Sequence, residues 1–371
     1  MKILFVTNSR VDEHATMRRA FGMAPYLIRL GHSVSVLLED IDCNHYFADK
    51  IPNLNCYYYN SGSLLSVRLQ KKRILDNVCF DVIHFCGLGW RNYIFPSNSN
   101  VLCLMDHVEL ESSIKTFGHT RRLAQSLLET MSLIQYSGSI VASRYLYDLF
   151  SERLSSFGLN RPILYLPYAY DSNDMKFELY EVELLRNKIY EKSIIVYLGG
   201  IHENYCCFEM LEAFRLLAEK KVPFVALMLG NGEGLEHMSC LVEKYTLQDY
   251  VYLKGYVPEE QVSAYLYSAD VLLSPLNNTI TDRARCPSKM LRYISTKKPI
   301  VTCAVGEALE YLGDSGFYYE PNSPSSMANT IEHAFVASSD FVPNYDPSQH
   351  TWQRRVESWL QWIYYQRPNL N

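Results

Sequence analysis

Hydrophobic and polar positions along this chain repeat one block: a short unbroken apolar run, a polar turn, a stretch with apolar residues at helical spacing, then another run. Residues 2–7 (KILFVT) are such a run, 8–16 form the polar turn, 17–30 carry the helical spacing up to Gly31, and 32–38 (HSVSVLL) are the next run. Short apolar runs bounded by turn residues and separated by a helix predict a βαβ unit, whose right-handed crossover builds a parallel sheet. Further strands are expected at 55–59, 81–85, 101–105 and 139–142, and helices over about 64–77 and 120–134. Together they predict one Rossmann-like domain over 1–168.

A second series follows the turn-like stretch 167–174. It has helices at 180–190, 208–218, 234–244 and 259–268, and strands at 193–198, 224–229, 251–254 and 271–274, with Gly199-Gly200 and Gly230-Asn231-Gly232 closing the first two strands. In 282–304 a loop, a helix and a buried strand follow without a spare residue. Pro287 and Ser288 stand where the helix begins, Leu291, Ile294 and Ser295 keep its spacing, Lys297 and Lys298 fall in its last turn, and Pro299 stops it. A helix at 307–312, a strand at 317–319 and a helix from Pro324 with Ser323 as N-cap come next. The expected fold class is α/β: two Rossmann-like domains facing a cleft, 1–168 and 172–345, with 346–371 as a C-terminal helix.

The totals change this picture little. At 371 residues the chain is too long for one ordinary core. Hydrophobic residues make up 48% and charged residues 20%, which describes a packed soluble chain. No apolar run approaches the roughly 20 residues of a membrane helix, and the opening MKILFVTNSR is too short in its apolar part for a signal peptide. Ten cysteines without a CxxC pair predict reduced thiols in a cytoplasmic protein, not a disulfide frame or a zinc site. The net charge of −5 is uneven: residues 1–172 hold 17 Lys+Arg against 15 Asp+Glu, and the remainder 18 against 25. Only the first half could face an anionic surface, and a nucleic-acid partner is not expected. Arg68, Lys71, Lys72 and Arg73 on one helix leave a weak peripheral membrane contact open, at the inner face, against the plainer reading of a solvated face.

Glycine turns invite a dinucleotide reading, but that fingerprint needs a third glycine three residues after the second and an acid about 20 residues on. Leu235 follows Gly232 at that spacing, Gly199-Gly200 fails as well, and no GxxxxGK[ST] occurs. Asp40-Ile41-Asp42 reads as a surface turn, and no cofactor or metal is expected. The chemistry-bearing stretch is the loop at 282–289. It places Arg283, Arg285 and Lys289 around the first free amides of a helix, a seat for a phosphate. A solvated basic loop is the alternative.

Beyond these readings the second half resembles the donor domain of the retaining, metal-independent glycosyltransferases of family 4, which have the GT-B fold. The resemblance rests on an ordered series of marks: Tyr197-Leu198-Gly199-Gly200 with Leu211-Glu212-Ala213-Phe214, Met228-Leu229-Gly230-Asn231-Gly232, Val251–Pro258 (VYLKGYVP), Tyr265–Val271 (YLYSADV), Ser274-Pro275, Arg285-Cys286-Pro287-Ser288-Lys289 with Tyr293, Lys298-Pro299, and Glu310–Asp314 (EYLGD). The first half is similar to the acceptor domain more loosely, through KILFVTN, Leu30–Val34, Asp81–His84 and Val141-Ala142-Ser143. Trp352-Gln353-Arg354-Arg355 opens a helix like the one that crosses back to the first domain.

The resemblance implies transfer of a sugar, a hexose, from a nucleotide-diphosphate sugar to a hydroxyl of a saccharide, lipid-linked or small-molecule acceptor, with retention. It assigns donor binding to Gly200, His202, Asn204, Gly255, Tyr256, Arg283, Arg285, Cys286, Ser288, Lys289, Arg292 and Glu310. On the sugar side it points to His107, after a strand, with Asp106 beside it. The plainer alternative has Asp106 capping the next helix and His107 on the surface; His84 reads as a core histidine.

Departures stand out. The family's phosphate-clamping Arg and Lys are matched here by Gly200 and Tyr205. Its glutamate pair falls on Ala284 and Arg292 counting back from Pro299, or on Asp282 and Met290 when anchored on Pro287. A guanidinium only donates hydrogen bonds, so Arg292 reverses the sense of a carboxylate that accepts them. Arg292 is expected to take over the missing clamp or to pair with Asp282 or Glu310. The departures keep open a non-catalytic, glycosyltransferase-like binding or regulatory subunit, and after it a sugar-nucleotide epimerase.

Overall fold

The computed structural model describes residues 1–370 other than 9, 11–14, 115, 172–174, 190, 203 and 204, and for Ala15 and Lys188 the backbone alone. Two compact units emerge. One comprises Met1–Ala169, Arg283–Cys286 and Thr351–Asn371; the other comprises Tyr170–Asp282 and Pro287–His350.

The first unit is built on a parallel sheet of β1 (Lys2–Val6), β2 (Ser33–Glu39), β3 (Asn55–Tyr59), β4 (Val82–Phe85), β5 (Leu102–His107), β6 (Gly138–Val141) and β7 (Ile163–Tyr165). Their order is β3-β2-β1-β4-β5-β6-β7. β4 and β5 are buried along their whole length, because helices cover both faces, and this is why their sequences are unbroken apolar runs. The chain's last helix, Trp352–Gln366, packs within this unit against helix Ala15–Arg29. A methyl group on Gly22 would meet the Trp352 ring at 2.2 Å. Trp359 stacks beside Phe5 and His84, with ring centroids 6.3 and 6.0 Å away. That apolar seam explains the amphipathic pattern of the C-terminal stretch.

The second unit carries β8 (Ser193–Leu198), β9 (Phe224–Leu229), β10 (Val251–Gly255), β11 (Val271–Leu273), β12 (Ile300–Thr302) and β13 (Phe317–Tyr318), again all parallel, in the order β10-β9-β8-β11-β12-β13. In both sheets the direction of winding reverses beside the first strand, between β1 and β4 and between β8 and β11. Ligands of open α/β sheets bind outside the carboxyl ends of strands at such switch points.

Helices Leu64–Asn77, Glu259–Ser268 and Glu307–Leu312 run as the periodicity predicts. Ser323 caps its helix by accepting from the Ser326 amide. Three helices escape the pattern: Asp42–Asp49, Arg144–Ser156 and Ile280–Ala284. Asp40-Ile41-Asp42 leads into the first of them, with Asp40 Oδ1 2.7 Å from His45 Nε2. Helix Ser288–Thr296 ends two residues earlier than expected: Lys297 is left-handed (φ 57°) and serves as its C-cap, so Lys297 and Lys298 lie beyond the last turn. Pro299 lacks the amide that would continue the helix and disfavours helical backbone at the residue before it.

Candidate functional site

At the carboxyl edge of the second sheet, three glycine turns lock into one another. Gly199 N donates to Leu229 O at 2.9 Å, Ile201 N to Asn231 O at 3.0 Å, and Gly230 N to Gly255 O at 2.8 Å. There is no room for side chains here. A Cβ on Gly230 (φ 142°) would lie 2.0 Å from Gly199 O, and one on Gly232 would lie 2.2 Å from Ile201 O. The glycines that fail the dinucleotide fingerprint thus serve close approach of backbone to backbone.

Lys289 reaches this cradle from the first turn of helix Ser288–Thr296. Its ammonium sits 4.0 Å above the Tyr197 ring and 5.8 Å from that of Tyr205, and a Cβ on Gly199 would meet it at 2.7 Å. The face of an aromatic ring favours a cation there. Tyr197 is held in turn, donating from its hydroxyl to Gly200 O at 2.7 Å. Tyr293, one turn along the same helix, accepts from Leu198 N at 2.8 Å and ties the helix to the end of β8. The lysine absent from position 205 in the sequence is therefore approached in space by one from a distant segment.

Arg292 makes a different ion pair from the one expected. Its Nη1 lies 2.7 Å from Glu259 Oε1, not beside Asp282 or Glu310. As a residue Arg292 is 6% exposed, and its Nε and Nη2 have no hydrogen-bond partner among the described residues. Asp282 instead accepts from Thr279 Oγ1 and Asn277 N, closing its own turn. Glu310 is exposed on helix Glu307–Leu312.

The remaining donor-side candidates divide. His202 lies over Gly200, with its Nδ1 3.6 Å from Glu233 Oε1. Gly255 takes a positive φ of 65°, and Tyr256 is 75% exposed. Ser288 opens the helix that carries Lys289. Asn204 lies outside the described residues. Arg283, Arg285 and Cys286 group with the first unit, where Ala284 O accepts from Ser143 Oγ at 2.7 Å and Ala284 packs among Leu110, Val141 and Phe150. Of the three expected cations, Lys289 groups with the second unit.

In the first unit, Asp106 and His107 are the last two residues of β5 and not a following loop, and both are buried. This corrects the surface and helix-cap readings as well. Asp106 is engaged by Arg19 Nε, whose Nη2 donates to Leu166 O at 2.8 Å. Burial alone would raise this carboxyl, but Arg19 and His84 outweigh it and hold it below its ordinary range. Burial lowers His107 to about 4, against the pull of Asp106, so the ring is neutral at pH 7. Ser132 Oγ lies 3.3 Å from its Nε2. Just past the strand, Glu111 carries a carboxyl raised to about 7 by burial and by Glu109 and Glu129, a group that sequence patterning did not single out. Among the described residues, no three His, Cys, Asp or Glu side chains gather as a metal ion would need, and no helix is long and apolar enough to cross a membrane.

The fold and the glycine–lysine edge define a chain of two Rossmann-like α/β domains, the GT-B class. Over the whole chain the fold matches HepE of Anabaena, solved with UDP, at a TM-score of 0.75 and 14% identity, covering 98% of this chain and 99% of that one. Residues 185–338 match the family described as Glycosyl transferases group 1, which bears out the resemblance for the second half. Two curated relatives are both named WcaL, a colanic acid biosynthesis glycosyltransferase. The one from Salmonella typhimurium is 27% identical over 41% of each chain, and the one from Escherichia coli is 32% identical over 37% of this chain and 34% of the other. The matched segment thus spans about two-fifths or less of these relatives' length.

Proposed function

We propose that this protein transfers a hexose from a nucleotide-diphosphate sugar to an acceptor hydroxyl, with retention and without a metal ion. The observation that carries the reading is Lys289: its ammonium stands over Tyr197 and beside the Gly199 turn, at the amide-rich start of a helix. As the glycosidic bond breaks, negative charge develops on the departing diphosphate. Lys289 and free amides of that helix stabilise the charge, in place of the clamp missing at Gly200 and Tyr205. The glycine cradle lets phosphate oxygens approach backbone closely. The family match over residues 185–338 supports this assignment. HepE, solved with UDP and with UDP-glucose, makes uridine and glucose the first donor to try.

In this reading Asp106 and His107 shape the carboxyl end of β5 from within the sheet. The acceptor, a saccharide, a lipid-linked sugar or a small alcohol, is received by the first domain. Calorimetry with a panel of nucleoside diphosphates and sugar nucleotides is the decisive experiment, because it names the base and separates an enzyme from a subunit that has lost its donor. Binding of one member, followed by transfer that persists in chelator, supports the proposal. Failure of every member to bind overturns it in favour of the binding or regulatory subunit, the second reading, which Arg292 favours by being committed to Glu259.

A further inference from the structure

Lys71 is a buried ammonium that forms no ion pair with a carboxylate among the described residues. It is 0% exposed, and its Nζ donates to Thr7 O at 2.6 Å, Asn92 Oδ1 at 2.8 Å and Asn8 Oδ1 at 3.0 Å, with the Tyr59 ring 4.5 Å beneath it. These contacts join three segments. Thr7 and Asn8 follow β1, Asn92 lies in the turn after β4, and Lys71 sits on helix Leu64–Asn77. β1 and β4 flank the switch point of the first sheet. Asn92 is fixed independently, since its Nδ2 donates to Gly87 O at 3.1 Å and its carbonyl accepts from Tyr136 Oη at 2.8 Å. Lys71 therefore bridges a fixed turn to Asn8.

We propose that Lys71 is a positioning residue for this edge: its ammonium fastens Thr7 and Asn8, just after β1, to the turn after β4, and loss of its proton lets Asn8 go. The chemistry follows from counting donors. An ammonium has three N–H groups for three acceptors, whereas a neutral amine has two and a lone pair, so one oxygen must be left unserved. Asn8 Oδ1, the longest of the three contacts, is the one released. Among the described residues, the titratable and charged groups facing Lys71 are Glu39 from the end of β2, Tyr59 from β3, and Cys86 and Arg91 from beyond β4. Burial first, and then Arg91, lower its pKa to about 7 against Glu39 and Cys86, so the proton is exchanged near neutrality. The unfolded chain keeps this proton up to the ordinary lysine value of 10.5, so through that window the group makes global stability rise with pH. Protection at Asn8 changes the opposite way, which distinguishes release of Asn8 from general loosening. If the edge receives the acceptor, the same proton sets the KM for acceptor while donor affinity stays unchanged. That consequence rests on the proposed transferase reading; the positioning does not.

The test is hydrogen exchange of the full chain between about pH 6 and 9, corrected for intrinsic rates, in the parent and in Lys71→Arg, with ¹³Cε NMR titration of Lys71 in the parent. The expected result is a rise of about threefold or more confined to peptides covering residues 7–8 and 86–92, abolished by the permanently charged arginine, with a titration midpoint near 7. Flat exchange in the parent, a rise that Lys71→Arg leaves in place, or a midpoint near 10 overturns the proposal. Should Lys71→Arg fail to fold, the parent's exchange profile and titration decide. Donor calorimetry is a separate measurement, so failure of the transferase reading leaves this result standing.

Discussion

Arg292 and Glu259 form an ion pair in which one partner is buried and the other is not: the arginine side chain is 7% exposed and the glutamate side chain 57%, with Nη1 and Oε1 2.7 Å apart. The asymmetry sets the energetics. Removing Glu259 strands a buried charge, whereas removing Arg292 leaves a carboxylate that water can serve. Glu259→Ala should cost about 2–3 kcal/mol in urea unfolding, and Arg292→Met no more than about 1 kcal/mol. Equal costs would show that burial of the guanidinium is not what makes the pair matter. Arg292→Glu bears on function: on the reading that this arginine serves the donor phosphates, the variant binds nucleotide sugar more weakly. Tighter binding than the parent's would identify a decayed site and favour the non-catalytic subunit.

Lys289→Ala should weaken nucleotide-diphosphate binding about ten- to a hundredfold, or about 1.5–3 kcal/mol, because a charge-assisted contact is lost. The thermal midpoint should move little, since the ammonium packs on the Tyr197 ring at the edge of the sheet. Unchanged affinity in calorimetry would remove Lys289 from the donor site.

Gly230→Ala should destabilise the second unit by about 3 kcal/mol or more, since a Cβ 2.0 Å from Gly199 O forces the cradle apart at a backbone φ of 142°. Gly31→Ala provides the control: its φ is also positive (84°), but nothing lies within 4 Å of the added atom, so about 1 kcal/mol is expected. Chemical denaturation of the pair separates collision from backbone strain.

His107 makes the protein sensitive to acid. Its folded pKa of about 4 lies below its ordinary 6.5, so between these values the unfolded chain binds the extra proton and stability is lost as pH falls through the window. The group contributes on the order of 3 kcal/mol above pH 6.5, an upper bound. His107→Gln should flatten the dependence of unfolding free energy on pH between 6.5 and 4. A parent profile already flat there would show that the ring is solvated and titrates normally.

Much of the fold was legible locally. Helices Leu64–Asn77 and Glu259–Ser268 were bounded by residues that carry their own stop and start signals, and β1, β8 and β9 by apolar runs that only a sheet covered on both faces requires. Strand β7 escaped notice because its three residues are half-buried at the sheet's edge, too short and too mixed for a period to show.

The sequence by itself determined the two βαβ series, the glycine turns that close β8 and β9, and the helix that brings Lys289 to its first turn, because each depends on neighbours within one or two turns of chain. Tertiary structure decided which charges meet. Lys289 comes to Tyr197 and Gly199, Arg292 to Glu259, Asp106 to Arg19, and Lys71 to Asn8 and Asn92. A charge in a linear pattern carries no mark of its partner. The pairing depends on which strand ends the sheet order brings side by side, and on burial, which makes an unpaired ion too costly to leave.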